Sequence, residues 1–478
     1  MEIGDKVPKA GLVLFEAKWF LDLGIGEKGS KMGDLGTLLE NEIKKIESSL
    51  KKEINLINPG IIFDIESAGK ALDLFKREKV DLIIVCNLTW SEDRAWIEIL
   101  KNIEDIPIIY WEYMTGFYTT KRYTPLQLYH NSGIVGALQG SGSLKRFNKK
   151  FKLVMGEAGE GKVIDEITSF AKASQVKNIL KKSIIGLLPF RNDQMKVTCI
   201  DEYLILKKIG MILKILTLAE LKEEGLKLSD GKVRVFMEKN KKTFKVDKEM
   251  REKDFLQASR VSLAMSNLYV KYNLDALAIN DVCDELHNTV GLRPCLYPEV
   301  YNDIGAVIGL EGDIGCTIAM YILYLFTKGP ICFTEVLNFN PEEGTINVGH
   351  PGPVNPLLAA SNDEVTIVPD IEYINSNFEY PYSATLELIG KPGRVTMVNL
   401  LDIGEDIQMI ISSGKSLGDH KRLTAFPHFC IKTDTPVLEF LSGVIKAGSS
   451  QHFAVVHGDV VKELMDLGNI LNFKVIKI

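Results

Sequence analysis

Apolar residues in the first third of the chain fall into short continuous runs, AGLVLF (10–15), DLIIVCN (81–87) and IPIIYW (106–111). Between them, Leu35 to Leu50 and Ile65 to Arg77 carry apolar positions at helical spacing. Continuously apolar strands joined by crossover helices are what a sheet covered on both faces requires. The pattern predicts an open α/β domain of the Rossmann or flavodoxin-like type over residues 1–172, with ligands at the carboxyl ends of its strands. Trp19, Asn87, Trp90, Glu112 and Tyr113 stand at or just after those ends and are candidates for a pocket wall.

A second region, 173–328, repeats the theme. SIIGLLP (183–189), KVRVFME (232–238) and DALAIND (275–281) are predicted as strands, with amphipathic helices over 200–210 and 248–271. From residue 329 the texture changes to short alternating stretches such as PICFTEVLNF, GTINVGH, RVTMVNLL and DIQMIISSG, punctuated by Gly, Pro, Asn and Asp about every ten residues. That spacing predicts an antiparallel, barrel-like β domain over 329–478. The expected fold class is therefore α/β, with two open parallel-sheet domains followed by a β-rich one.

Length and composition agree with this division. At 478 residues the chain is too long for one ordinary core, and 46% hydrophobic with 25% charged residues is a globular balance. No apolar run reaches the roughly 18 residues of a membrane span, and the N-terminal MEIGDKVPKAG lacks the features of a signal peptide. A cytoplasmic protein is expected, with no membrane partner. The net charge of −6 argues against nucleic acid, which needs a basic face. Seven cysteines without a CxxC fit reduced thiols.

Two glycine motifs do not carry nucleotide chemistry. Gly24, Gly26 and Gly29 spell GxGxxG but lie nine residues beyond the first strand, too far to close a strand onto a helix. GEAGEGK (156–162) has phosphate-loop spacing, yet Val163 replaces the Ser or Thr that would hold Mg²⁺, and Glu157 and Glu160 would repel phosphate. A solvated hinge is expected there.

The candidate chemistry lies between residues 309 and 352, where GLEGD (309–313), CFTEV (332–336) and VGHPG (348–352) place Glu311, Glu335 and His350 at abrupt junctions. Carboxylate, carboxylate and imidazole suit a divalent cation such as Mn²⁺, and two carboxylates around a cation supply an acid–base pair. In AGSSQHFAVVHGD, His452 and His457 are five apart and so face opposite sides of a regular strand. His452 follows a Gly- and Ser-rich approach and is the preferred ligand, while His457 is expected to pack or cap.

These segments resemble the L-arabinose/L-fucose isomerase family, and the resemblance spans essentially the whole chain. GLEGD resembles the segment that supplies a metal-binding, acid–base glutamate, which implies that role for Glu311. FTEV implies the second acidic residue in Glu335. GHPG and AGSSQHF imply the histidine ligands His350 and His452, and GLRPC (291–295) also reads like the family. TPLQLYHNSG (124–133) resembles a Gln-x-x-His sugar-pocket segment, implying substrate-binding roles for Gln127 and His130. In the family that segment belongs to a neighbouring subunit, so a homotrimer or a homohexamer is implied.

The resemblance thus implies a metal-dependent aldose–ketose isomerase working through an enediol, with Mn²⁺ expected and Co²⁺ or Mg²⁺ as alternatives. No cluster of Arg and Lys adjoins the motifs, which favours a free sugar such as L-arabinose or L-fucose over a sugar phosphate. Departures exist: Gln451 precedes His452 where the arabinose branch carries a His-His pair, and the PGPVNPLL after the histidine of GHPG differs from the usual continuation. The fucose branch has aspartate at the Glu335 position and no counterpart of His350. Competing readings are a sugar sensor, which would need no such ligand set, and a metal-dependent epimerase or aldol-cleaving enzyme.

Overall fold

The structure is a computed structural model that describes residues 7–25, 29–31, 33–115 and 122–478. Gly26 of the GxGxxG stretch lies outside the described residues. The chain divides into two compact units, Met1–Asn178 and Ile179–Ile478.

The first unit is built on a parallel sheet of strands β1 (Lys9–Phe15), β2 (Asn55–Ile57), β3 (Ile61–Ile62), β4 (Leu82–Asn87), β5 (Ile108–Met114) and β6 (Lys152–Glu157). The order is β2-β1-β4-β5-β6, with β3 also pairing β1. Every residue of β4 is buried, as the unbroken apolar run predicts. One helical layer packs Phe75 and Trp96 against Val13, Phe15 and Val85 of the sheet. The helix Ile65–Glu78 starts at a capping box between Asp64 and Ser67, which satisfies two of its otherwise orphaned N–H groups. GEAGEGK does join β6 to a helix, Gly161–Leu180.

The second unit contains a parallel sheet of β7 (Ile184–Leu188), β8 (Ile212–Ile215), β10 (Ala276–Ile279) and β11 (Ile308–Gly309), in the order β11-β10-β7-β8. The short β9 (Lys245–Val246) pairs elsewhere. KVRVFME, expected as a strand, is instead the middle of the helix Asp230–Thr243. Val233, Met237 and Asn240 are its buried residues, at helical rather than alternating spacing, and the Ser229 hydroxyl caps its start by accepting from the Lys232 N–H. The strand that precedes it is β8.

The remaining strands are β12 (Ile331–Asn340), β13 (Thr345–Gly349), β14 (Thr366–Val368), β15 (Thr385–Ile389), β16 (Gly393–Asp402), β17 (Ile407–Ser416), β18 (Pro427–Thr433), β19 (His452–His457) and β20 (Lys474–Lys477). β17-β16-β19-β12-β13-β18 run antiparallel to their neighbours, and a further β17–β18 pairing closes the ring into a barrel. Closure leaves these strands no free edge. β20 adds to β17 in parallel, and β15, β14 and β9 extend the sheet beyond β18. The helix Ile314–Thr327 is apolar nearly all round and buried along most of its length. Gly315 lies so close to β16 that a Cβ there would meet the Leu400 carbonyl oxygen at 2.1 Å. Among the described residues, no helix is long and apolar enough to cross a membrane.

Candidate functional site

The apolar run of β11 ends in GLEGD, and the chain must turn at once to start the helix Ile314–Thr327. Glu311 takes the turn with φ of +55°, and Gly312 follows at +66°. A non-glycine residue in this region is strained and is held there by its surroundings. Here the restraint is Asp281, just past β10, whose Oδ1 accepts the Glu311 backbone N–H at 2.6 Å. Asp313 then caps the helix by accepting from the Cys316 N–H at 2.7 Å.

This turn points the Glu311 carboxylate between two imidazoles. Oε1 lies 3.2 Å from His350 Nε2, and Oε2 lies 3.0 Å from His452 Nε2. The second contact lacks a hydrogen-bonding angle and is one of charge proximity. All three side chains are buried, and their donor atoms fall within 4.8 Å of one another. His350 follows β13, where Gly349 is obligatory because a Cβ would meet the Pro427 carbonyl at 2.5 Å. His452 opens β19. Phe333, on β12, contacts both rings, with centroids 5.1 and 4.5 Å away, and makes one wall of the site apolar.

The hydrogen bonds behind the rings set their tautomers. His350 Nδ1 is 2.8 Å from the Pro351 carbonyl, which can only accept, so Nδ1 carries a proton and Nε2 is the ring atom turned to Glu311. His452 Nδ1 is 2.8 Å from Asp313 Oδ2 in the same sense. A carboxylate behind an imidazole that faces a cation site is the usual support of a histidine metal ligand. Two Nε2 atoms converging on one carboxylate, each backed by an acceptor at Nδ1, form a donor set that fits a divalent cation.

The electrostatics follow from the geometry. Burial works to raise the Glu311 pKa, but the two imidazoles overcome it and hold the group far below the usual carboxylate range. Burial likewise works to lower His452, yet Asp313 and Glu311 push it up to about 9. Asp281 is raised by burial, against the pull of Arg293 and His350. Arg293, itself fully buried, holds Asp370 through two 2.8 Å bonds and reaches Asp281 at 3.7 Å.

The other expected residues fall differently. Glu335 is directly opposite both His452 and Gly349 in the barrel ladder, so its side chain shares their face, but it is half-buried and outside the cluster of donors. His457, at the far end of β19, bonds the Lys391 carbonyl at 2.8 Å and takes no part. Gln127 and His130 belong to the first unit. The Gln127 amide oxygen accepts the Thr124 N–H at 2.9 Å, closing a capping box on the helix Pro125–His130. His130 is buried 3.6 Å from Glu42, and Tyr113 bonds the same carboxylate. A cavity of about 130 Å³ is bounded by Asn87, Glu112, Tyr113, His130 and Asn131. Burial raises the Glu112 carboxyl to about 7. Trp19 is half exposed, stacking edge-on against Trp90 at 6.2 Å. A cavity of about 140 Å³ in the second unit, walled by Tyr297, Tyr301 and Tyr324, contains none of the three clustered donors.

Sequence reasoning missed Asp313, Asp281, Arg293 and Glu42. Asp313 had a signal, since an Asp immediately before a long apolar run is a helix-start residue. Asp281 is the last residue of the predicted strand DALAIND, at the carboxyl end of a parallel sheet, where functional side chains collect. Arg293 lies in GLRPC, a segment that reads like the family, and nothing local marked Glu42.

No protein-family model matches the chain. It is 21% identical over 415 residues to a sulfoquinovose isomerase of Priestia aryabhattai, covering 87% of this chain and 89% of that protein. A sulfoquinovose isomerase of a Clostridium species (strain MSTE9) is 21% identical over 422 residues with the same coverage. One from Alkalicoccus urumqiensis is 25% identical over 216 residues, 45% of this chain and 47% of its own length. Among solved structures, a periplasmic sugar-binding protein of an ABC transporter from Legionella pneumophila overlaps 67% of this chain and 96% of its own, with 10% identity. Its TM-score of 0.16 gives that overlap no bearing on fold or function. At the level of a sugar-isomerase enzyme the relatives' names agree with the expectation, and the sugar in those names is neither arabinose nor fucose.

Proposed function

We propose that the chain is a divalent-metal-dependent aldose–ketose isomerase of a free sugar, with Glu311, His350 and His452 as metal ligands and Mn²⁺ as the cation. The observation that carries the reading is the convergence of two Nε2 atoms, each backed by an acceptor at Nδ1, on one buried carboxylate. Similarity across 87% of the chain to proteins named sulfoquinovose isomerase supports the reaction class and makes that sugar the first to try, ahead of L-arabinose and L-fucose. The bound cation would polarise the sugar carbonyl and its neighbouring hydroxyl as a Lewis acid.

Within that frame the side chains divide the work. Asp313 and the Pro351 carbonyl fix the two rings, and Asp281 fixes the backbone of Glu311. Glu311 and Glu335, the latter on the same barrel face as His452, are the two carboxylates assigned to proton transfer. Between them a proton leaves C2 of the aldose and another reaches C1 of the ketose through an enediol, one carboxyl serving carbon and the other oxygen. Phe333 excludes water from the rings' side. His130 of the first unit is proposed to contact sugar, as the family resemblance implies, in a homotrimer or homohexamer with sites near subunit interfaces.

The test is product analysis on a panel of sulfoquinovose, L-arabinose, L-fucose and other free aldoses with added Mn²⁺, run beside Glu335→Gln. Metal-dependent appearance of a ketose, cut by about a hundredfold or more in the variant, supports the reading. An epimeric aldose or chain cleavage as product would replace it with another enediol reaction.

A further inference from the structure

The carboxyl ends of β7, β10 and β11 meet around Gly312, the residue after Glu311. A Cβ on Gly312 would lie 3.1 Å from the Asn192 backbone nitrogen and 3.5 Å from both Asn280 Cβ and the Phe190 carbonyl oxygen. The Gly312 N–H donates to the Ile279 carbonyl at 2.8 Å, and the Asn280 N–H donates to Leu188 at 2.7 Å, so the three strand ends are tied together. Asn192 and Asn280 are 1% and 2% exposed.

Each of these asparagines leaves a polar side-chain atom without a partner among the described residues: Nδ2 of Asn192, a donor, and Oδ1 of Asn280, an acceptor. Asn192 Oδ1 accepts the Gln194 N–H at 2.9 Å, and the Asn280 backbone carbonyl receives the Cys283 thiol at 3.2 Å. A buried amide atom with no partner is costly, and a folded chain seldom keeps two on residues that flank one glycine. One donor and one acceptor, both buried, on two residues that flank the glycine after the Glu311 carboxylate, match a hydroxyl, which accepts one hydrogen bond and donates another.

We propose that Asn192 and Asn280 form a specificity-determining subsite that reads one hydroxyl of the open-chain sugar beyond the two reacting carbons. This rests on the isomerase reading above and deepens it by assigning part of the substrate's hydroxyl pattern to two residues. Neither residue is a proposed metal ligand or proton carrier, so substitution acts on sugar recognition and leaves cation affinity unchanged.

The experiment pairs variants with deoxy sugars. Asn280→Leu removes the acceptor, and Asn192→Asp removes the donor while keeping the oxygen that accepts from Gln194. For the full-length Mn²⁺-loaded protein, kcat/KM and calorimetric binding are measured for the best sugar of the panel and for its analogues deoxygenated at C3, C4 and C5 in turn. The expected result is a loss of about 10- to 100-fold in each variant for the parent sugar, with one deoxy analogue that the wild type handles as poorly and the variants handle no worse. Manganese affinity stays at its wild-type value. If both variants lose the same factor on every analogue, or lose nothing, the pair holds only water or each other and the proposal fails. Binding with this pattern but without turnover would leave the subsite standing and overturn the isomerase reading; no binding of any panel sugar would overturn both.

Discussion

Glu311, His350 and His452 were legible as residues because each interrupts an apolar or glycine-bounded stretch, where an uncompensated charge is costly. Their mutual geometry was not, since it depends on a left-handed turn at Glu311 and on ring tautomers set by Asp313 and the Pro351 carbonyl. The raised pKa of His452 yields a prediction at this scale. Without metal the ring holds a proton up to about pH 9, and a cation must displace it. Apparent Mn²⁺ affinity, measured by calorimetry, should therefore rise by about tenfold per pH unit below 9 and level off above it. The metal-free protein should show the opposite trend. A group with a raised folded-state pKa gives stability that is complete below its ordinary value of 6.5, so Tm falls as pH rises through about 9. Asp313→Asn withdraws the carboxylate, so the break should move to lower pH and the plateau affinity drop by about 10- to 100-fold. An unchanged break point would mean that Asp313 does not govern the ring.

At the scale of elements, continuous apolar runs such as β4 were read correctly because burial on both faces leaves no alternative pattern. KVRVFME misled because Val233 and Val235 alternate as in a strand, while tertiary packing buries Val233 and Met237 and leaves Val235 exposed. The barrel strands were visible from their ten-residue rhythm, but ring closure through β17 and β18 is a long-range pairing with no local signature. The helix Ile314–Thr327 carries the Asp313 cap and is pressed against β16 at Gly315. Gly315→Ala should destabilise the protein by about 2 to 4 kcal/mol, because a methyl group cannot share space with a backbone carbonyl. Denaturant unfolding checks this, and weakened Mn²⁺ binding should accompany it as the helix start shifts. A neutral effect would mean that helix and strand are less tightly seated than the 2.1 Å clearance implies.

For the whole molecule, the two units hold two kinds of residue. The second carries the complete Glu311, His350 and His452 set, and the first carries His130 in a cavity with Glu42, Tyr113 and Glu112 nearby. Sequence order alone joined these segments only through a family resemblance, because nothing local in TPLQLYHNSG distinguishes a pocket wall from a helix start, and Gln127 proves to be a helix cap. Relatives similar over most of both units carry one enzymatic name, which fits a function that uses the chain as a whole. The central claim is that a cation at the three converging ligands supports sugar isomerisation. It is tested most directly by stripping the full-length protein with a chelator and titrating Mn²⁺ back while following heat and ketose formation together. The account predicts one Mn²⁺ per chain, activity rising in step with its uptake, and loss of both in His452→Ala. Full activity in the stripped protein, or failure to take up Mn²⁺ at all, would contradict it.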